Sequence, residues 1–557
     1  MKNQHKFRFD IWGGITLLIL ILYLIFMVYP VGNLLIQSVI PKTTQTFSLD
    51  AFVKFFSKSY YFSTLMNSFK VSILATILSL AVGTPLAYFF AAYKIKGSKI
   101  LRILIIIASM SAPFIGAYSW ILLMGRSGVI TTFIKDILHI TPPDIYGFTG
   151  ILLVFTLQLF PLIFLYVSGA LKNVDNSLIE ASENMGCTGI KRFIKIIIPL
   201  ITPTLLAGAL LVFMRALADF GTPMLIGEGY RTFPVLIFNE FLSEVGGDDS
   251  FAAAIAVVAI IITTIVFLVQ KYISNKKSFS MSSLHPIQPK ELKGVKKWGI
   301  YIFSYGVVGL AVLPQLYVIY TSFKNTQGMV FQPGYSFNSY YTAFDRLGNT
   351  IFNTILIPGI SLIIIVLLAV LIAYLTVRRR NPATGVLDIL SMIPYIVPGT
   401  VAGIALLGAF NTGIFNSGFL AIGGTMAIMI VALVIRRLPY TIRSSVAILQ
   451  QIPMSIEEAA LSLGSTKMKT FFKITVPMMA SGIISGAILS WVTMISELST
   501  AVLLSTYRTQ TLTVATYTEV IRGNFGIAAA LSTILTVLTI ISLLIFTKIS
   551  KGDDISI

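Results

Sequence analysis

The chain has 557 residues, of which 56% are hydrophobic and only 11% charged, with 41 lysines and arginines against 22 acids. Soluble domains carry about a quarter charged residues, so a water-soluble enzyme or a disordered scaffold of this length is excluded and a polytopic membrane protein is indicated. The formal net charge of +19 would suggest nucleic acid in a soluble chain, but its meaning depends on where the charges lie relative to the apolar segments.

Twelve apolar stretches have roughly the 20 residues needed to cross about 30 Å of hydrocarbon. In chain order they are 11–38, 65–92, 103–124, 147–171, 200–226, 251–270, 298–322, 352–377, 386–410, 419–435, 478–505 and 525–547. The expected fold class is therefore an all-α polytopic membrane protein. Segments 1–10, 93–102, 172–198, 270–297, 378–385, 436–477 and 548–557 hold 29 basic residues, and the alternating set holds 10. The first set holds 9 acids and the second 10, so the difference lies in the basic residues, and the positive-inside rule places the first set and both termini in the cytoplasm. The basic excess reads as an orientation signal and a contact with the lipid bilayer, and calls for no nucleic acid. Residues 11–38 are too long for a signal-peptide core and are read as a retained first span.

The halves repeat. Pro161 and Pro439, Glu180 and Glu458, Gly186 and Gly464, Pro199 and Pro477, and Asp219 and Glu497 are each 278 residues apart. Asn67 pairs with Asn353 and Tyr88 with Tyr374 at an offset of 286, and Tyr230-Arg231-Thr232 recurs as Tyr507-Arg508-Thr509. Six spans per copy is an even number, so both copies face the same way, as two parallel repeats. The expected division is a first lobe over 1–274, a basic linker over 275–297 containing Pro286 and Pro289, and a second lobe over 298–557.

Each lobe carries a long basic loop before its fifth span, 172–199 and 446–477. The first contains Glu180-Ala181-Ser182, then Gly186, then Pro199; the second contains Glu458-Ala459-Ala460, then Gly464, then Pro477. Both keep 13 residues from Gly to Pro. Ser177 with Glu180, and Ser455 with Glu458, have capping-box spacing, so each loop is expected to hold a short helix starting there. Gly186 and Gly464 suit the left-handed stop of a helix, and Pro199 and Pro477 the first turn of the next span. The small side chains at 181–182 and 459–460 are expected to be exposed, where a partner surface can approach closely. A mere connector would not be expected to keep the same spacing twice.

These loops resemble the EAA motif, E-A-A-x3-G-x9-I-x-L-P, of permeases in bacterial ATP-binding-cassette importers. The resemblance covers nearly the whole chain. It implies the type I importer permease fold in a fused, two-lobed form, in a bacterial inner membrane. It further implies docking of Glu180, Ala181, Ser182 and Gly186 on one protomer of a homodimeric cytoplasmic ATPase, and of Glu458, Ala459, Ala460 and Gly464 on the other. Ser182 departs from the motif's second alanine but keeps the small volume; Ile198 and Val476 replace its leucine. An extracytoplasmic solute-binding protein is implied as a second partner. The chain has no G-x-x-x-x-G-K-[ST] loop, so ATP is expected to be used by the partner, and the chain to be a transport subunit rather than an enzyme, with no cofactor of its own.

Ionisable residues at membrane depth cost about 2.5–3.5 kcal/mol on insertion scales and mark functional candidates. Arg215 and Asp219 lie four apart on the fifth span and can pair, and Glu497 is the equivalent of Asp219. Either these three flank the translocation path or its gate, or they form a structural pair shielded near a span end. Lys70 is expected to snorkel at the outer end of the second span. Glu240, Glu244, Asp248 and Asp249 form an acidic outer loop, which either is simply solvated or meets the solute-binding protein. Pro113 and Gly116, and Pro394, Pro398 and Gly399, interrupt the third and ninth spans and are candidate cavity walls, or kinks that aid packing.

One cysteine (Cys187) and three scattered histidines (His5, His139, His285) leave no visible metal site. For the cargo, Ala216-Leu217-Ala218-Asp219-Phe220-Gly221-Thr222-Pro223 resembles the corresponding segment of permeases in the ferric-iron importer group. Ferric iron is therefore the expected cargo. Aminoethylphosphonate, polyamine or sugar phosphate importers of the same class remain alternatives, as does an ion-coupled secondary transporter using the intramembrane acids.

Overall fold

The computed structural model describes residues 11–41, 45–110, 113–140, 142–242, 249–276 and 287–549. Both termini, residues 277–286 of the linker (with Pro286 and His285), and Glu244 and Asp248 of the acidic loop lie outside the described residues. Among the described residues the protein is a helical bundle with one exposed β-hairpin, Lys324–Gln327 against Val330–Tyr335.

The first lobe contains α1 (Ile11–Val39, through one π-helical turn), α2 (Ser59–Ala92), α3 (Ser98–Met110), α4 (Pro113–Met124), α5 (Phe148–Lys172), the short α6 (Asn176–Asn184), α7 (Gly189–Ala218), α8 (Gly221–Ile226), α9 (Phe233–Leu242) and α10 (Asp249–Lys276). The second contains α11 (Gly294–Ser322), α12 (Asn338–Arg378), α13 (Pro382–Leu390), α14 (Gly399–Phe410), α15 (Met426–Gln451), the short α16 (Met454–Ser462), α17 (Lys467–Met478), α18 (Ala480–Ile495), α19 (Leu512–Ile521) and α20 (Phe525–Ile549). Eight helices are long and apolar enough to cross a membrane, and eleven crossings result if each of three sharply bent pairs is one span. α15 adds a 26-residue helix that carries three arginines.

Each lobe is built on the same trio: α2, α5 and α7 pack together, and so do α12, α15 and α18. Without water between helices, close packing and hydrogen bonds must hold such trios together. In α18, Gly482 and Gly486 are four apart and lie on α15; a Cβ at Gly486 would fall 2.7 Å from the Cα of Thr441. The repeat extends to single hydrogen bonds. The Asn67 amide donates to the Arg231 carbonyl at 3.1 Å, and its counterpart Asn353 donates to the carbonyl of Arg508 at 2.9 Å.

The first helix of each lobe crosses to the other. α1 packs on α12, α13 and α14, and Trp12 packs against the rings of Tyr374, tilted, and Phe471, edge-on. α11 in turn packs on α3 and α4 and contributes Ile300 and Val308 to the first lobe's core. The sequence boundaries mark a genuine repeat, yet each packing unit includes one helix from the other half.

Several spans differ from the hydropathy reading. The tenth, expected over 419–435, is the helix α15 and runs to Gln451, because Arg436 and Arg437 are paired with Glu497 inside the bundle rather than marking a span end. The fifth begins at Gly189, eleven residues early, passes through a π-helical turn before Pro199, and ends at Ala218. The two basic loops therefore shrink to the connections around α6 and α16. The ninth span is broken at Val397-Pro398 with a bend of 112°, where Pro398 has an extended backbone. The eleventh bends by 67° at Met479.

Candidate functional site: two surface helices and a central cavity

α6 and α16 lie at the same end of the bundle, each directly after a long helix of its lobe. Their starts differ from the expected capping boxes. α6 is capped by Asp175, whose carboxylate accepts the Ser177 N–H at 2.9 Å, and α16 follows Pro453 with no side-chain cap. Their ends match. Gly186 and Gly464 have φ of +72° and +85°, and the next N–H reaches five residues back, Cys187 to Ser182 and Ser465 to Ala460. Any Cβ would strain both positions.

Glu180, Ala181, Glu458 and Ala459 are exposed, whereas Ser182 and Ala460 are buried, contrary to expectation. The second small residue of each motif faces inward and lets the short helix sit close to its own lobe. The outward face is the Glu-Ala pair alone, with Glu180 steadied by the Asn176 amide at 2.7 Å.

Each short helix is pinned by a different ion pair. Glu183 of α6 is held by Arg192 and by Lys290 of the linker at 2.8 Å, and Arg192 also reaches the Tyr88 hydroxyl. Both cations hold the Glu183 carboxyl below the usual glutamate range, Lys290 more than Arg192. In the second lobe the buried Glu457 meets Arg378 at 2.9 Å, and the Tyr374 hydroxyl donates to the same carboxylate. Tyr88 and Tyr374, equivalent in sequence, thus serve equivalent anchors. Arg378 was legible only as loop charge; its partner one residue before Glu458 gives its role.

Between the lobes lies a cavity of about 1240 Å³. On α15 its wall runs from Arg436 to Ser444, about 12 Å of helix that descends towards α16. Arg215, Asp219 and Glu497 all line it, so the three path candidates share one chamber. The broken spans also contribute, through Phe114 and through Pro394 and Pro398. Part of the chamber's lining is an apolar plug where the lobes meet. The Phe220 ring lies tilted against Phe238, centroids 4.4 Å apart, and against Tyr517 at 6.0 Å, and Gly221 sits against Phe114 of its own lobe and Leu498 of the other.

The expected Arg215–Asp219 pair does not form. Asp219 ends α7, and its carboxylate turns to the Thr222 N–H at 2.9 Å. Glu497 does the same with Thr500 at 3.1 Å, but it also receives both Arg436 and Arg437. In the first lobe the positions 278 residues earlier hold Gln158 and Leu159, so Asp219 has no such cations. Lys70 is exposed, with its ammonium 4.9 Å from the Phe148 ring centre. Glu240 is half-buried on α9, and nothing in the geometry pairs it with a partner protein.

The family model for the inner membrane component of binding-protein-dependent transport systems matches twice, over residues 83–279 and 365–552. The chain belongs to this family of permeases. One matched segment falls in each half and contains that half's short surface helix, beginning within α2 in the first and within α12 in the second. The permease is 28% identical to a ferric transport system permease protein, FbpB, of Actinobacillus pleuropneumoniae over 98% of this chain and 79% of that one. A putative ferric transport permease of Haemophilus influenzae is also 28% identical, over 92% and 80% of the two chains. The spermidine/putrescine permease PotB of the same organism is 28% identical over 47% of this chain but 93% of its own length. One lobe of this permease thus corresponds to a whole single-lobed relative. It is a multi-pass inner membrane transport subunit of the fused, two-lobed form, and it resembles the ferric-iron permease group.

Proposed function

We propose that the chain is the transmembrane subunit of an ATP-driven importer of ferric iron, energised by a separate homodimeric ATPase and supplied by an extracytoplasmic solute-binding protein. One observation supports the coupling role above others: two short helices at one end of the bundle present the same exposed Glu-Ala pair and the same left-handed glycine. In this reading α6 docks on one ATPase protomer and α16 on the other, on the cytoplasmic side, where both termini also lie. Closing of the ATPase dimer drives the two helices together. Because Glu183 and Glu457 fasten them to the ends of α2, α7 and α12, the motion passes to the lobes and exposes the cavity alternately to each side. Iron as the cargo rests on the likeness to ferric transport permeases over most of both chains.

Copurification and uptake test both halves of the reading. The full-length permease should retain a cytoplasmic ATPase that is lost when Glu180 and Glu458 are both changed to Ala, and proteoliposomes holding the assembly should take up ferric iron only with internal ATP. Uptake driven by an ion gradient without any ATPase would replace this reading with a secondary carrier. ATP-driven uptake of phosphonate or polyamine in place of iron would overturn the cargo alone.

A further inference from the structure

The charges of the central cavity are unevenly matched. Four guanidiniums line it, Arg215, Arg436, Arg437 and Arg443, against three carboxylates, Asp219, Asp388 and Glu497. Arg443 meets Asp388 at 3.5 Å, and Arg436 and Arg437 share Glu497. Arg215 has no carboxylate within ion-pair distance among the described residues. Two further donors are idle: the buried Nε–H groups of Arg436 and Arg437 have no acceptor among the described residues. Such donors are costly to bury unless something accepts from them.

A bare trivalent cation fits this chamber poorly. Among the described residues no three His, Cys, Asp or Glu side chains are grouped to hold a metal. Glu497, the best-placed carboxylate, is already covered by two cations. Hard trivalent ions require several oxygen anions around them, and a net positive wall repels them. Guanidiniums instead match carboxylate and phosphate oxygens, often by two parallel hydrogen bonds.

We propose that the cavity accepts its cargo through an oxyanion, with Arg215 as the first contact and the Arg436–Arg437 pair as the second, so that iron would pass as a complex still wrapped by phosphate-type or carboxylate ligands. This rests on the transport reading above and narrows the substrate class of the same site. Arg215, on the lobe that lacks the arginine pair, gives the chamber a cation on each side. An oxyanion held between them bridges the lobes without stripping Glu497 of its partners.

The test uses the purified full-length permease in lipid nanodiscs, with three probes: inorganic pyrophosphate, ferric pyrophosphate, and hexaamminecobalt(III) as an inert trivalent cation without anionic ligands. Either pyrophosphate form should bind, and Arg215→Gln should weaken it at least tenfold while Arg215→Lys retains most of the affinity. Melting curves check that the Gln variant remains folded, as expected for a side chain without an ionic partner. Equal binding of free and ferric pyrophosphate would uphold the oxyanion site while arguing against iron as the selected cargo. Preference for the ferric form would support both. Tighter binding of hexaamminecobalt(III), no binding of either pyrophosphate form, or an unchanged affinity in Arg215→Gln, would overturn the proposal; the iron reading would then still stand or fall on the uptake experiment.

Discussion

Asp219 and Glu497 end equivalent helices and accept equivalent backbone N–H groups, from Thr222 and Thr500, yet only Glu497 is met by guanidiniums. The duplication kept the backbone arrangement and let the charges diverge. The consequence for stability is unequal. Removing one member of a buried ion pair costs about 3–5 kcal/mol, because the remaining charge is stranded. Glu497→Gln strands two arginines and should lower the melting temperature of the purified permease markedly. Asp219→Asn strands none and should leave the melting temperature within a few degrees of the parent. Equal shifts in the two variants would refute this account of the asymmetry.

Neighbouring glutamates of α16 should behave in opposite ways. Glu457 is buried against Arg378, and Glu458 is exposed. Glu457→Gln should cost about 3–5 kcal/mol of stability by leaving Arg378 unpaired, visible in thermal unfolding. Glu458→Gln should change stability by less than about 0.5 kcal/mol, as exposed positions usually do, and should act only on retention of the ATPase. If Glu458→Gln unfolds the protein while Glu457→Gln does not, the assignment of inner and outer faces is inverted.

The anchor of α6 should be sensitive to acid. Lys290 and Arg192 lower the Glu183 carboxyl from its ordinary value of 4.5. A carboxyl depressed in the folded state stabilises fully above its unfolded value, and the contribution disappears as pH falls through the folded value. Packing of α6 should therefore be constant at neutral pH and loosen only in acid, below the ordinary glutamate range. Proteolysis or labelling at Cys187, just beyond α6, would follow this transition. Glu183→Gln should abolish that pH dependence and show the looser state throughout.

Much of this architecture was legible in the sequence because it rests on local signals. Gly186 and Gly464 fixed the helix stops, since few other residues adopt positive φ. The recurrence of Asn67 and of Tyr230-Arg231-Thr232 marked a repeat, and the structure joins them by a hydrogen bond in each lobe. Arg436 and Arg437 were illegible for a physical reason: a hydropathy window treats charge as a span end, and only the fold brings Glu497, sixty residues on, to neutralise it. The burial of Ser182 and Ala460 was missed because small size serves close packing as well as exposure. The exchange of α1 and α11 between lobes leaves no periodic trace, because periodicity shows that a helix has an apolar face but not which helix covers it.

The apolar plug in the cavity lining makes a final prediction. At Gly221 an added Cβ would lie 2.9 Å from the Phe114 Cβ and 3.1 Å from the Leu498 methyl of the other lobe. The first of these is closer than side chains pack, and Phe114 is fully buried, so it has little room to yield. Gly116, one turn along α4 from the start of that helix, would place its Cβ 3.9 Å from Val154, an ordinary contact. Gly221→Ala should therefore force the lobes apart at the plug, with an overpacking cost of about 1–3 kcal/mol, while Gly116→Ala should be tolerated. A cysteine introduced at Leu498, in a background with Cys187→Ser, offers the readout. Its labelling by a membrane-impermeant maleimide from the side opposite α6 and α16 should rise with Gly221→Ala and stay low with Gly116→Ala. Unchanged labelling in the first variant, with the protein still folded, would mean that the contact of Phe114, Gly221 and Leu498 does not seal the chamber.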